Sequence, residues 1–327
     1  MDLPITPVVE RVVNQVRITY KLRGEFTRSF PQPFTYMTMR DRFDSFLTER
    51  AISAGATLMD GFRVSRIDLD GSTTHLFGQQ GVAVGTVLVG ADGANSVVAH
   101  QLGLLRGAEI GVGLESEVYT EPRYLEPWVS TAGIDFGTIR GGYMWLFPKE
   151  DHLSIGVAGF VRLSKRLRSL LEKYLGELQL GSYQQRLTRG HRLPRRREGM
   201  PIQKGRALLI GDAAGLIDFW TGEGIYYALR SAQTAAPAIC DYLEGKAGGL
   251  QGYEEAIDQG LMPELHIART LARIGVWFPR LTYTLLKNSE WAWNSGCRIL
   301  RGERSYHDVR KRMGRFTFLF DIAGYGA

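Results

Sequence analysis

The segment Gly211-Asp212-Ala213-Ala214-Gly215, followed closely by Thr221-Gly222-Glu223-Gly224, constrains this chain more than any other. Ala207 to Ile210 ahead of it is small, apolar and branched, which is the composition of a buried strand, and the glycines let backbone approach a ligand closely. Ile225 to Leu243 then repeats with a helical period. Gly222 and Gly224 open that helix, so free N–H groups and the positive end of its dipole face an anion or an electron-rich ring edge, while Asp212 suits a ribose hydroxyl. A lone GxG is read as a turn between strand and helix. The combined constellation predicts a nucleotide-type site.

A second corner has the same construction. Gly85 to Val89 is expected as a strand that runs into Gly90-Ala91-Asp92-Gly93-Ala94-Asn95-Ser96 before a helix, again breaking at small residues and a carboxylate. Earlier, Met37 to Ala54 is expected to end a strand and start a helix, with Asp41 as N-cap, a stripe of Phe43, Phe46, Leu47 and Ile52, and Gly55 as its stop. Strands are expected at Phe62 to Leu69 and at Thr73 to Phe77. The chain opens at Met1-Asp2-Leu3-Pro4 with no charged-then-apolar leader and goes directly into the alternating Val16-Arg17-Ile18-Thr19-Tyr20. The strand, G-x-G-x-x-G turn and distal acidic residue of a first dinucleotide-binding unit are expected to be missing.

Composition removes several classes. With 327 residues, 44% of them hydrophobic, the chain can bury a large core in two domains or one elaborate one. Cys240 and Cys297 offer no disulfide framework, and the six histidines contain no HExxH pair, so a reducing cytosol and no metal site are expected. The net charge of +6 favours anionic partners, yet only Arg195-Arg196-Arg197 and Arg310-Lys311-Arg312 cluster, and these read as solvated faces rather than a nucleic-acid surface. No apolar run reaches bilayer-spanning length.

Between about Gly107 and Gly205, Gly111 to Tyr119, Gly142 to Pro148 and His152 to Phe160 predict neighbouring strands of an antiparallel sheet. Alternation places Tyr143, Trp145 and Phe147 on one strand face, either as a core stripe or as the apolar wall of a pocket. Leu250 to Ala327 is helical in period and rich in aromatics: Trp277, Phe278, Tyr283, Trp291, Trp293, Phe316, Phe318 and Phe320. Pro263 and Pro279 are expected to break it into shorter helices. One reading packs these helices as a cap. Another lays an amphipathic face, edged by Arg269, Arg273, Arg280 and Lys287, onto a membrane.

The ordered set Arg40, Phe43, Asp44 and Leu47, then GADGANS (90–96), YMWLFPK (143–149), GDAAGLIDFWTGEGIYYAL (211–229) and SYHD (305–308) resembles the geranylgeranyl reductase family. These are FAD-dependent enzymes in the larger flavoprotein group that includes p-hydroxybenzoate hydroxylase. The resemblance implies a mixed α/β fold with residues 1–106 as a partial FAD-binding domain carrying inserted strands and 107–204 as an antiparallel-sheet substrate domain. Residues 205–248 would complete the FAD domain and 249–327 would form a helical cap. It implies reduction of carbon-carbon double bonds in the polyprenyl chain of a lipid, quinone or pigment, with NAD(P)H or a ferredoxin-type carrier as electron donor. By carry-over, Arg40 and Val64 would contact FAD, Asp92 and Gly93 match a nucleotide motif, Gly211 and Asp212 would hold the ribitol or pyrophosphate, and Gly222, Gly224 and Ile225 would meet the isoalloxazine edge. Tyr143, Trp145, Phe147, Phe219 and Trp220 would line the substrate pocket. No side chain is identifiable as the proton donor.

The chain departs from the family pattern in two places. The N-terminal glycine-rich unit does not appear, so a shortened reading of a longer protein is expected. A proline usual between the GDAAG and TGEG elements is Phe219, beside Trp220. Two further classes stay open: a flavin monooxygenase or halogenase, because YMWLFP is similar to a W-x-W-x-I-P motif with Tyr143 at its first position, and a non-catalytic remnant.

Overall fold

The computed structural model describes residues 4–312; Phe316, Phe318 and Phe320 of the aromatic C-terminal set lie outside the described residues. In chain order the elements are β1 (Arg11–Val13), β2 (Gln15–Tyr20), β3 (Arg23–Ser29), β4 (Thr35–Met37), α1 (Arg40–Ser53), β5 (Val64–Asp70), β6 (Thr73–Gly78), β7 (Gly81–Gly85), β8 (Leu88–Gly90), α2 (Val97–Leu102), β9 (Glu109–Thr120) and α3 (Pro122–Leu125). They continue as β10 (Thr131–Phe136), β11 (Tyr143–Pro148), β12 (Leu153–Phe160), α4 (Leu167–Glu177), β13 (Tyr183–Arg195), β14 (Gln203–Lys204), β15 (Ala207–Leu209), α5 (Ile225–Leu243), α6 (Gln251–Trp277), α7 (Pro279–Asn288), α8 (Glu290–Leu300) and α9 (Tyr306–Arg312). The chain is thus mixed α/β, and it divides into two compact units.

One unit takes the described residues up to Leu58, Val112–His191 and 273–312. Its centre is a seven-stranded sheet in the order β13-β9-β12-β11-β10-β2-β3. β10, β11 and β12 run antiparallel in succession, and β9, β12 and β11 stand as neighbours, as the alternating patterns predict; Thr131–Phe136 is a strand those patterns do not pick out. β2 instead joins β10 in parallel, from Gln15 beside Thr131 to Tyr20 beside Phe136. That pairing draws the N-terminal strands into the sheet, so this division runs differently from boundaries at 106, 204 and 248. β12 is buried from Leu153 to Gly159, as a central strand covered on both faces should be. Val13, Ile18, Phe30 and Phe34 pack with Trp293 and Cys297 of α8 into an apolar core.

The other unit takes Met59–Gly111 and Arg192–Ala272. It holds a three-stranded sheet in the order β14-β15-β8 and a meander of β5, β6 and β7. Ala207, Leu208 and Leu209 are fully buried and pack with Leu88, Leu102, Leu216, Tyr253 and Ile257.

Three local expectations are corrected. Asp41 is not the N-cap of α1: Met39 occupies that position in extended conformation, and Asp41 sits in the first turn, where its charge faces the positive end of the dipole. Gly85 to Val89 is not one strand, because β7 ends at Gly85 on β6 while β8 begins at Leu88 on β15, so the chain changes sheets between them. Pro263 does not break α6, which runs 27 residues through it. Met262, Leu265, Ile267 and Ala268 are buried around that proline, and their burial holds the helix despite the missing N–H. Pro279, at the first position of α7, does begin a new helix.

Candidate functional site

β8 and β15 are parallel neighbours, with Leu88 beside Ala207 and Gly90 beside Leu209. The Asp92 and Asp212 corners therefore leave their strands at the same end of the sheet, and Ile210 N–H donates to Gly90 O at 3.0 Å as the two chains separate. Ligands of open α/β sheets bind outside the carboxyl ends of such strands. Glycine is required twice here. A Cβ at Gly90 would lie 2.6 Å from Leu209 and 2.9 Å from Val98, and one at Gly211, where φ is +56°, would lie 2.9 Å from Ala228 of α5. Gly211 N–H donates to Ser231 Oγ at 3.0 Å, fixing the corner to α5.

At the first corner the Asp92 carboxylate accepts the N–H groups of Val97 at 2.7 Å and Val98 at 3.2 Å, while Ser96 Oγ accepts that of Ala99 at 2.8 Å. Asp92 thus starts α2 and remains exposed to solvent. Gly93, at φ +73°, borders open space. Val64 opens β5, and Gln101 of α2 bonds to the backbone of Ser65 and Ile67 in that strand.

The second corner continues into a loop built by Asp218. This carboxylate is buried, accepts N–H from Trp220 at 2.6 Å and Thr221 at 2.9 Å, and takes the Tyr227 hydroxyl at 3.2 Å. Burial, then the charge of Asp218, raises the Tyr227 pKa, so its hydroxyl stays protonated as donor. Asp218 N–H and O close the loop on Glu223 O and Gly222 N–H at 2.9 and 3.0 Å. α5 follows with Gly224 at its N-cap and no side-chain cap on that residue, and with Ile225 and Tyr226 exposed. A Cβ at Gly224 would meet Asp212 Oδ1 at 3.0 Å, so a glycine keeps the space beside that carboxylate open. A glycine-lined gap between a carboxylate and a helix N-terminus suits the polar edge and sugar-phosphate parts of a nucleotide cofactor.

Phe219 is 8% exposed, with the guanidinium of Arg195 4.8 Å from its ring centre and that of Arg269 at 5.3 Å. Glu109 pairs with Arg269 at 2.9 Å and with Arg195 at 3.9 Å. Its neighbour Trp220 is half-buried. Arg196 is fully buried, bonded to Asp258 at 2.5 Å and to Met200 O at 2.8 Å, so of the basic run at 195–197 only Arg197 is exposed as a solvated face would be.

In the sheet unit, Arg40 begins α1, is exposed, and pairs with Asp44 at 2.9 Å. Along β11, Met144, Leu146 and Pro148 are buried while Tyr143, Trp145 and Phe147 are half-buried, so the aromatic residues form the wetter face. Trp145 lies over Gly156 of β12 and reaches Gly113 of β9, where a Cβ would be 3.8 Å from its ring. Trp145 stacks with Phe147 at 6.1 Å and tilts against Tyr143 at 5.8 Å. Beside them stands a row of titratable groups. His191 bonds Glu115 at 2.9 Å, and Ser154 donates to Glu115 at 3.4 Å. His152 lies between Glu117 at 2.8 Å and Asp151 at 2.7 Å. Burial opposes charging of His152, but those two carboxylates outweigh it and leave its pKa raised.

Asp218 and Ser231 were not singled out in the sequence. The Asp-x-Trp-Thr order, with a short polar side chain two and three residues before the N–H groups it accepts, was the available signal. Nothing local marks Ser231, whose partner is 20 positions away.

No protein-family model matches the chain. It is 29% identical over 82% of its length to an uncharacterised protein of Methanosarcina barkeri, covering 70% of that protein. It is 28% identical over 78% of its length to the chloroplastic geranylgeranyl diphosphate reductase of Oryza sativa, and spans 58% of it. Among solved structures, a geranylgeranyl bacteriochlorophyll reductase-like protein of Thermoplasma acidophilum aligns at a TM-score of 0.71 and 21% identity, covering 81% of this chain and 72% of that one. The flavin-dependent brominase Bmp2 aligns at 0.71 and 16% identity, covering 96% of this chain and 84% of that one. The fold is therefore that of p-hydroxybenzoate hydroxylase-like flavoproteins.

Proposed function

We propose that this chain is a member of the geranylgeranyl reductase family of FAD-dependent flavoproteins, an oxidoreductase that binds FAD at the Asp92 and Asp212 corners and saturates carbon-carbon double bonds of a polyprenyl group. The observation that carries the reading is the parallel pairing of β8 with β15, which brings both carboxylate corners to one end of one sheet. Bound FAD supplies a hydride from its N5. In this reading Asp212 and Gly211 hold the ribitol and phosphate portion, Gly224 and Ile225 offer backbone N–H groups to the electron-rich ring edge, Gly222, whose own N–H is held by Asp218 O, shapes the turn ahead of them, and Asp92, Gly93, Val64 and Arg40 serve the rest of the cofactor. Tyr143, Trp145 and Phe147 supply an oily, water-excluding wall for the prenyl chain, and Phe219 with Trp220 shapes the loop before α5. NAD(P)H or a ferredoxin-type carrier supplies the electrons.

The test is direct. The purified chain is incubated with FAD and freed of excess, and retained flavin is read from visible absorbance. Its photoreduced form is then mixed without oxygen with a geranylgeranyl compound. Reoxidation together with a product heavier by two hydrogens per bond supports the reading. Turnover that requires oxygen and gives a hydroxylated or halogenated product overturns it, as does a chain that retains no flavin.

A further inference from the structure

The elbow from the end of α6 through α7 to the start of α8 carries the densest exposed apolar surface of the sheet unit. Trp277 is 74% exposed and Phe278 50%, and Leu281, Leu285 and Trp291 also face solvent. The opposite side of α7 is pinned. Tyr283 packs edge-on to Phe26 at 5.1 Å, Tyr283 and Leu286 join the core of Val13 and Ile18, and Arg28 donates to the carbonyls of Leu286 and Lys287. At 100° per residue, Leu281 and Leu285 stand on one side of the exposed arc, and Arg280 and Lys287 on the other. From Arg273 to Trp291 the sequence has three cations and one carboxylate, Glu290, which pairs with Arg28. No helix among the described residues is long and apolar enough to cross a membrane.

We infer that this elbow docks on an anionic lipid bilayer, with Trp277, Phe278, Leu281 and Leu285 entering the headgroup boundary and Arg280 and Lys287 meeting lipid phosphates. Charge complementarity selects that occupant: tryptophan and leucine beside basic side chains is the composition of an in-plane interfacial helix. A second copy of the chain would bring the same cations against one another.

Flotation of the full chain with vesicles of phosphatidylcholine, and of phosphatidylcholine mixed with phosphatidylglycerol, tests the inference without a flavin or a substrate. Binding is expected on the mixed vesicles, weaker in high salt. Leu281→Gln with Leu285→Gln should abolish it, and Arg280→Glu with Lys287→Glu should lower it by about fivefold for each unit of charge removed. All four side chains are exposed, so both variants should keep the wild-type circular dichroism and urea midpoint. Failure of the wild type to float with mixed vesicles overturns the inference, as does unchanged flotation of the leucine variant. So does a concentration-dependent dimer that the leucine variant dissociates while flotation is absent. None of these outcomes bears on flavin retention, so loss of this inference leaves the proposed reductase standing.

Discussion

Gly90 ends β8 directly beside Leu209, the last residue of β15, and this one register pair places the two carboxylate corners side by side. The approach leaves no room for a side chain: a Cβ on Gly90 would stand 2.6 Å from Leu209 and 2.9 Å from Val98. Gly90→Ala is expected to lower stability by about 1–3 kcal/mol, the usual cost of overpacking a fixed core. Urea unfolding measures it, and a variant as stable as the wild type would contradict the register. Flavin retention should fall with it, since both corners shift together.

Asp218 organises the loop before α5 through two backbone N–H groups and the Tyr227 hydroxyl. Asp218→Ala removes the shared acceptor of two partly buried N–H groups and a buried hydroxyl and should cost about 3 kcal/mol. Tyr227→Phe removes one partner only and should cost about 1 kcal/mol. If the loop serves the cofactor as proposed, Asp218→Ala loses flavin while Tyr227→Phe keeps it; equal retention in both would separate the loop from the site.

The legible parts were those whose cause is local. α5 runs from Ile225 to Leu243, where the glycine opening and the apolar period set it, and the β5–β6 hairpin lies within two residues of its expected limits. What escaped the sequence depends on distant partners. Gln15 pairs with Thr131 in parallel, and no pattern near either residue encodes that choice. β12 reads as apolar whichever neighbours flank it. The sheet change between Gly85 and Leu88 looked like continuous strand because both halves are branched and apolar. Arg196 resembled part of a solvated charge run, since burial of a cation rests on Asp258, 62 positions away. The sidedness of Tyr143, Trp145 and Phe147 was open for the same reason: alternation gives two faces, and only the packed sheet says which is wetter.

Trp145 crosses from β11 over Gly156, whose missing side chain makes the space for the indole. Gly156→Ala should lift the ring from the sheet, cost about 1–3 kcal/mol and change the near-ultraviolet circular dichroism. Gly113→Ala is the control. Its Cβ would stand 3.8 Å from the same ring, an ordinary contact, so stability should stay within about 0.5 kcal/mol of wild type. In the proposed reductase, Gly156→Ala should weaken use of the prenyl substrate with flavin retention unchanged.

The Glu115–His191 pair predicts a pH window. The hydrogen bond with Glu115 is the main reason that the His191 pKa stands above its ordinary 6.5, and the same bond holds the Glu115 pKa below 4.5. For a raised histidine the stabilisation is complete below 6.5 and vanishes as pH climbs through the folded-state value. For a lowered carboxylate it is complete above 4.5 and vanishes as pH falls through the folded-state value. Both contributions are therefore present in full between 4.5 and 6.5. The His191 side chain is 47% exposed, so solvent screening limits the pair to about 1 kcal/mol or less. Nuclear magnetic resonance titration should place the His191 midpoint above 6.5 in the wild type and lower it in Glu115→Gln. The stability gap between the two proteins should be widest inside that window and narrow as pH climbs through the folded-state value of His191. A gap that stays constant across that range would mean that the two groups are neighbours without exchanging charge stabilisation.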